Sequence, residues 1–253
     1  MTTGNHSTPD APQSAAIPLA FRLLHRFERY IARHSIHGDR SVYDPALFDW
    51  VPALEAQWRT LANEYQALLA GCEPIPPFHE ISHEQRPITS DNGWRTFVLY
   101  AYGVQASRNC ALCPQTAAAV RAIPGMQTAM FSILEPGKRL PPHRGPYKGL
   151  LRVHLGLQVP VNRSQCWIEV AGERLHWQEG KVLVIDDTAQ HSAANESTSR
   201  RCVLFLDVLR PLQPRADRIN RTLLTVLRRS PFGSQAKRVF RNWYRQHGIS
   251  ADV

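Results

Sequence analysis

No run of about 18 or more apolar residues occurs in this chain, so no obvious helix spans a bilayer. Cysteine is sparse. Cys72, Cys110, Cys113, Cys166 and Cys202 are odd in number and scattered, which argues against a disulfide framework and suits a reducing cytosol. Cys110-Ala-Leu-Cys113 has zinc-knuckle spacing, but no second Cys or His pair follows at a matching distance, and two ordinary thiols near a loop is the better reading. A basic-then-apolar signal pattern is also missing; Met1 to Ser14 is polar and reads as a disordered tail. Acidic residues are in short supply, with 21 Asp and Glu against 30 Lys and Arg. The resulting net charge of +9 favours an anionic partner. What remains, 253 residues with 43% hydrophobic and 20% charged content, is an ordinary soluble composition that can bury one good core.

The text divides into four stretches. After a tail over residues 1–15 comes a helical N-terminal segment, 16–90. Ile17, Phe21, Leu24, Phe27 and Ile31 recur there at helical spacing, with Arg22, Arg26, Arg29 and Arg33 on another face. Leu47, Trp50, Leu54, Trp58, Leu61 and Tyr65 form a second stripe, which Pro74, Pro76 and Pro77 end. Residues 91–212 turn strand-like, with a helix expected over Pro114 to Ile123. Short apolar runs at Thr128 to Leu134, Leu150 to Val159, Gln165 to Val170, Lys181 to Ile185 and Cys202 to Val208 are separated by turn formers. This spacing predicts a mainly β domain with flanking helices, most simply a double-sheet jelly roll. Residues 213–253 close the chain with basic amphipathic helices. The basic ends can lie on an anionic membrane surface, or pack on the core with their arginines solvated; periodicity alone leaves both open.

The chemistry concentrates in the strand-rich stretch. His143 and His191 each follow an apolar run and lie in or beside a turn-rich loop. Arg201 stands ten residues after His191, at the head of another apolar run. Two imidazoles and then an arginine on the next strand is the order expected where Fe(II) is held beside a carboxylate grip for 2-oxoglutarate. Period-2 alternation puts Arg152 and His154 on one strand face, and Ser132 lies mid-strand between Phe131 and Ile133. Burying such groups in a small barrel requires anionic or metal-bound partners, so together they outline a cavity for a dicarboxylate.

These residues carry a resemblance. Asp91-Asn92-Gly93-Trp94, Phe131 through Gly137, Pro142-His143-Arg144-Gly145-Pro146, Leu151 through Leu157, and Trp177 through His191 to Arg201 and Val208 resemble the aspartyl/asparaginyl β-hydroxylase family of Fe(II)/2-oxoglutarate oxygenases. The resemblance implies a double-stranded β-helix, with His143 and His191 ligating Fe(II). It also implies Arg201 and Ser132 on the distal carboxylate of 2-oxoglutarate, Arg152, His154 and Trp94 lining the pocket, and O2 as oxidant. The carboxylate that commonly completes such a site two residues after the first His is replaced by Gly145, a trait the family shares. Asp186 and Asp187 are outer candidates, with turn capping the stronger expectation.

Family members acting on Asp or Asn residues can carry a second arginine where this chain has Leu150, and an apolar side chain there suits an alkyl substrate. The branch hydroxylating acyl chains of lipid A and ornithine lipids resembles this chain more closely around the first His. The expected partner is therefore a lipid or small-molecule substrate, with an anionic membrane surface and no nucleic acid. The expected location is cytoplasmic, peripheral on the inner face of the bacterial inner membrane. Two other readings stand beside it: a hydroxylase of Asp or Asn in a peptide or of a small amino-acid-derived molecule, and a non-catalytic cupin-like binding or scaffold protein.

Overall fold

The computed structural model describes residues 19–82, 85–101, 104–229 and 231–248, with the side chains of 19–25, 227 and 231–237 outside the description. The tail over 1–15, Ile17, and the expected contacts of Phe21, Leu24, Leu227 and Phe232 therefore lie outside the described residues.

Eleven strands are described. They are β1 (Val42–Tyr43), β2 (Trp94–Ala101), β3 (Val104–Gln105), β4 (Met126–Leu134), β5 (Arg139–His143), β6 (Leu150–Gln158), β7 (Cys166–Val170), β8 (Glu173–His176), β9 (Val182–Ile185), β10 (His191–Asn195) and β11 (Arg201–Leu209). They form a seven-stranded sheet in the order β1-β9-β6-β11-β4-β2-β3 and a four-stranded sheet in the order β5-β10-β7-β8. The strands pair antiparallel throughout. This is the double-stranded β-helix, or jelly roll, that the spacing of short apolar runs implies.

Alternation explains how one sheet serves two layers. On the outer face of the large sheet, Leu151, Val153, Leu155, Phe131, Ile133, Leu204 and Leu206 are buried in one apolar cluster with Leu54, Leu61, Tyr65, Leu68 and Val120. These come from α2 (Val51–Ala56), α3 (Trp58–Ala70) and α6 (Pro114–Arg121), which follows α5 (Ser107–Leu112). On the inner face Val98, Met130, Leu134, Val203 and Phe205 meet Ile168, Val170 and Ala193 of the small sheet. The N-terminal segment contributes more than helices, because β1 extends the large sheet beside β9.

The basic ends divide. In α1 (Leu19–Arg33), Ile31 is buried against Leu212 and Ala216. In α8 (Pro231–Gln246), Phe240, Trp243 and Tyr244 join the inner cluster with Ile81 of α4 (Phe78–Ile81). In α7 (Pro214–Arg229), Ala216, Asn220 and Leu224 are buried while Ile219 and Val226 remain exposed. For the described part of α8 the apolar stripe is therefore core, whereas α7 keeps apolar groups at the surface. Among the described residues no helix is long and apolar enough to cross a membrane.

Candidate active site

His143 ends β5 and His191 begins β10, and the two are direct partners in the antiparallel ladder. Their ring centroids lie 4.1 Å apart. β5 is an edge strand, which is why it tolerates Pro141 and Pro142 immediately before the histidine. A register shift follows at once, between His191 and Ala193. In each ring Nδ1 faces a backbone carbonyl, Pro141 at 2.8 Å for His143 and Ala189 at 2.9 Å for His191. A carbonyl can only accept, so Nδ1 carries the proton and Nε2 keeps its lone pair. Burial lowers the pKa of His143, and burial together with the neighbouring His143 lowers that of His191 to about 4. Both rings are neutral near pH 7, the state a metal ligand requires.

Among the described residues no three His, Cys, Asp or Glu side chains are grouped to hold a metal ion, so a metal here would have the two imidazoles as its protein ligands. Gly145 explains part of this. A Cβ at that position would overlap the carboxylate of Asp187. Asp187 thus fills the space beside the first histidine, with Oδ1 at 3.3 Å from His191 Nε2, and its main-chain oxygen accepts from Gly145 N–H at 2.7 Å. Gly145→Ala is expected to displace this carboxylate and weaken metal binding by about 10–100-fold, the usual loss when a supporting group beside a metal ligand is removed. Metal titration of the folded variant checks this; wild-type affinity would show that the Asp187 position is immaterial.

The second half of the site faces the histidine pair from the large sheet. Arg201 is 3% exposed and donates from one terminal nitrogen to Ser132 O at 3.1 Å. Its guanidinium lies 4.3 Å from the centre of the Trp177 ring, and its Nε–H has no partner. Trp177 Nε1–H donates to His154 Nδ1 at 3.2 Å, which makes Nδ1 the acceptor and puts the proton on Nε2. That Nε2–H is also buried without a partner. Burial, reinforced by Arg201, holds the His154 pKa well below the usual histidine value, so the ring is a neutral donor. Trp94 Nε1–H donates to Ser132 Oγ at 3.0 Å, leaving the hydroxyl proton free to be given to a ligand. A buried guanidinium with no carboxylate beside it among the described residues, and a buried imidazole N–H without a partner, are expensive unless an anion completes them. A dicarboxylate such as 2-oxoglutarate fits this donor set.

Trp177 was not among the expected site residues. It is buried, and the next residue, Gln178, presses its carbonyl into the place a Cβ on residue 156 would occupy, a close approach only Gly156 permits. Arg152 reaches the same inner face but its charge is already taken up. It bonds Asp187 Oδ1, sits 3.2 Å from Asp207 Oδ1, and lies 4.3 Å over the Phe205 ring. Leu150 is on that face too, two residues before Arg152 on β6. Asp186 caps its own turn, accepting from Thr188 N–H at 2.9 Å, and is paired with the fully buried Arg210 at 2.5 Å. Arg210 also donates to Tyr43 Oη at 2.5 Å, so β1 and the loop before His191 are tied to one guanidinium. Cys113 is buried, its thiol pushed up to about 12 by that burial, and Cys110 Sγ faces Leu99 O at 3.3 Å.

Comparison with known proteins fits this geometry. The family model described as aspartyl/asparaginyl beta-hydroxylase matches residues 55–211. The chain is 40% identical to an ornithine lipid ester-linked acyl 2-hydroxylase of Rhizobium tropici over 216 residues, 85% of this chain and 77% of that protein. It is 30% identical to the human aspartyl/asparaginyl beta-hydroxylase over 166 residues, 64% of this chain but only 21% of the human one. Among solved structures, the Cupin_2 domain of an XRE family transcriptional regulator from Enterobacter cloacae aligns at 10% identity and a TM-score of 0.32, over 46% of this chain and 96% of that one. With the family match extending over most of the jelly roll and its supporting helices, this chain belongs to the aspartyl/asparaginyl beta-hydroxylase family.

Proposed function

We propose that this protein is an Fe(II)- and 2-oxoglutarate-dependent hydroxylase that oxidises an acyl chain of an ornithine lipid. The observation carrying the cofactor reading is the pair of orphaned buried donors, Arg201 Nε–H and His154 Nε2–H, on the sheet opposite two neutral imidazoles. A scaffold that binds no ligand has no use for such unpaired groups. When bound, iron with O2 and 2-oxoglutarate supplies the oxidation chemistry, one oxygen atom entering the C–H bond and the other leaving in succinate as CO2 is lost.

The chain's own residues bind, orient and exclude water. His143 and His191 would hold the metal, with their Nδ1–H groups fixed on backbone carbonyls so that the rings cannot swing away. Arg201 and Ser132 would take the distal carboxylate, and the apolar inner cluster keeps water from the reacting carbon. The lipid reading is supported by the rhizobial relative and by two local facts. Arg152, the side chain best placed to greet an acidic substrate, is neutralised by Asp187 and Asp207. Beside it, Leu150, Val42, Leu183 and Ala189 are partly buried apolar groups suited to an alkyl chain.

The direct test combines protein, Fe(II), 2-oxoglutarate and ornithine lipid. Succinate and a lipid heavier by one oxygen atom are expected together. Succinate with no oxidised lipid would refute the substrate, and no succinate under any lipid would refute the cofactor reading.

We further propose a peripheral station on the anionic inner face of the bacterial inner membrane, through α7, where Ile219 and Val226 stand exposed among Arg215, Arg218 and Arg229. Replacing Ile219 and Val226 by glutamate is expected to lower binding to anionic vesicles severalfold, and added salt to lower wild-type binding. Sedimentation measures both; indifference to both changes would remove α7 from the membrane surface.

A further inference from the structure

We propose that a surface cavity just outside the histidine loops seats the amino-acid headgroup of the lipid, its carboxylate against Arg29 and Arg40; this rests on the lipid reading above. The cavity has a volume of about 320 Å³ and lies between α1, the residues leading into β1, and the segments that follow His143 and precede His191. Four cations line it, Arg29, Arg40, Arg144 and Lys148, against three carboxylates, Glu28, Asp39 and Asp186. Their commitments differ. Lys148 bridges Asp39 at 2.7 Å and Asp186 at 2.8 Å, and Arg144 pairs with Glu28 at 3.1 Å. The guanidinium groups of Arg29 and Arg40 are exposed and have no carboxylate partner among the described residues. The charge left over is positive and sits at the mouth, which suits one carboxylate. Asp39, whose side chain is half exposed, is free on its outer side to take an ammonium. A ligand carrying both groups, as an ornithine headgroup does, matches this mixed lining better than a phosphate would.

Position supports the same occupant. Ala189 lines the cavity and also packs on the inner apolar cluster, and its carbonyl holds the His191 ring. Ser41 lines the cavity and the next residue, Val42, packs on that cluster with Leu183. A headgroup seated outside can therefore pass its acyl chain over Ala189 and Val42 towards the metal ligands. The rhizobial relative is named an acyl 2-hydroxylase, which puts its reacting carbon towards the polar end of the acyl chain, and a headgroup seat beside the histidine loops suits the same position here.

The experiment measures KM and kcat for ornithine lipid in neutral detergent micelles, for wild-type protein, for the double variant Arg29→Glu/Arg40→Glu, and for Arg174→Glu on β8 as a remote charge control. Soluble Nα-acetylornithine is the competing probe. The double variant is expected to raise KM at least about tenfold with little change in kcat, whereas Arg174→Glu leaves it in place. Nα-acetylornithine should compete with lipid in wild type and not in the double variant. An unchanged KM in the double variant, or an equal rise in the remote control, would overturn the site. Binding of Nα-acetylornithine that the double substitution abolishes while lipid KM stays put would give the cavity to soluble amino acids, overturning the headgroup assignment. Wild-type protein that oxidises no ornithine lipid would overturn the lipid reading itself, and this site with it. Since both arginines are exposed, the variants should fold, which a thermal melt verifies.

Discussion

His191→Ala is expected to abolish metal binding and turnover while leaving a folded protein. In the proposed centre the two imidazoles are the protein ligands, so removal of one leaves a single neutral donor at the end of the β5 edge strand. Loss of a mere supporting partner of a metal-bound histidine costs about 10–100-fold, so loss of the ring itself should exceed about 100-fold in affinity. His191 is 5% exposed and its ring bonds the Ala189 carbonyl, so its replacement should lower the melting temperature modestly without unfolding the protein. His143→Ala is expected to match it in activity. Iron retained after gel filtration, together with succinate formation near the wild-type rate, in either variant would refute the paired-histidine centre.

Arg201→Ala is expected to raise the 2-oxoglutarate KM by a factor corresponding to about 2–5 kcal/mol, the penalty for leaving one partner of a buried charge pair unmatched. The guanidinium is buried, stacked on Trp177 and short of one acceptor, so on the proposed function a ligand carboxylate would complete it. A 2-oxoacid lacking the distal carboxylate separates this role from a structural one. Wild type should prefer 2-oxoglutarate to 2-oxovalerate strongly, and the variant should lose most of that preference. Arg201→Lys should recover only part of it, since an ammonium cannot reproduce the planar two-nitrogen grip. An unaltered preference in Arg201→Ala would place the distal carboxylate elsewhere.

Much of this site is legible in the amino-acid text because its determinants are local. Alternation alone puts His154 and Arg152 on one face of β6, and the structure pairs His154 with Phe205 and Arg152 with Asp207 across the sheet. Ser132 as an inward polar group follows the same rule and appears opposite Val203. The strands bearing the metal ligands are harder to see. Pro141-Pro142 in β5 and Ser192-Ala193-Ala194 in β10 have little strand preference of their own; pairing within the small sheet overrides it. Long-range partnerships are invisible until register is known. Asp207 lies 55 positions from the Arg152 it neutralises, and Tyr43 lies 167 from Arg210. Amphipathic periodicity likewise could not distinguish a helix lying on a membrane from one lying on the core, and α8 sends Phe240, Trp243 and Tyr244 inward.

The two histidines belong to the four-stranded sheet, whereas Arg201, Ser132 and His154 belong to the seven-stranded one. Neither layer alone carries the whole of the proposed centre. An incompletely assembled chain would therefore have metal ligands without a co-substrate grip, or the grip without the ligands. On the proposed function, oxidation would await the assembly of both layers, which would spare the side chains of a nascent chain.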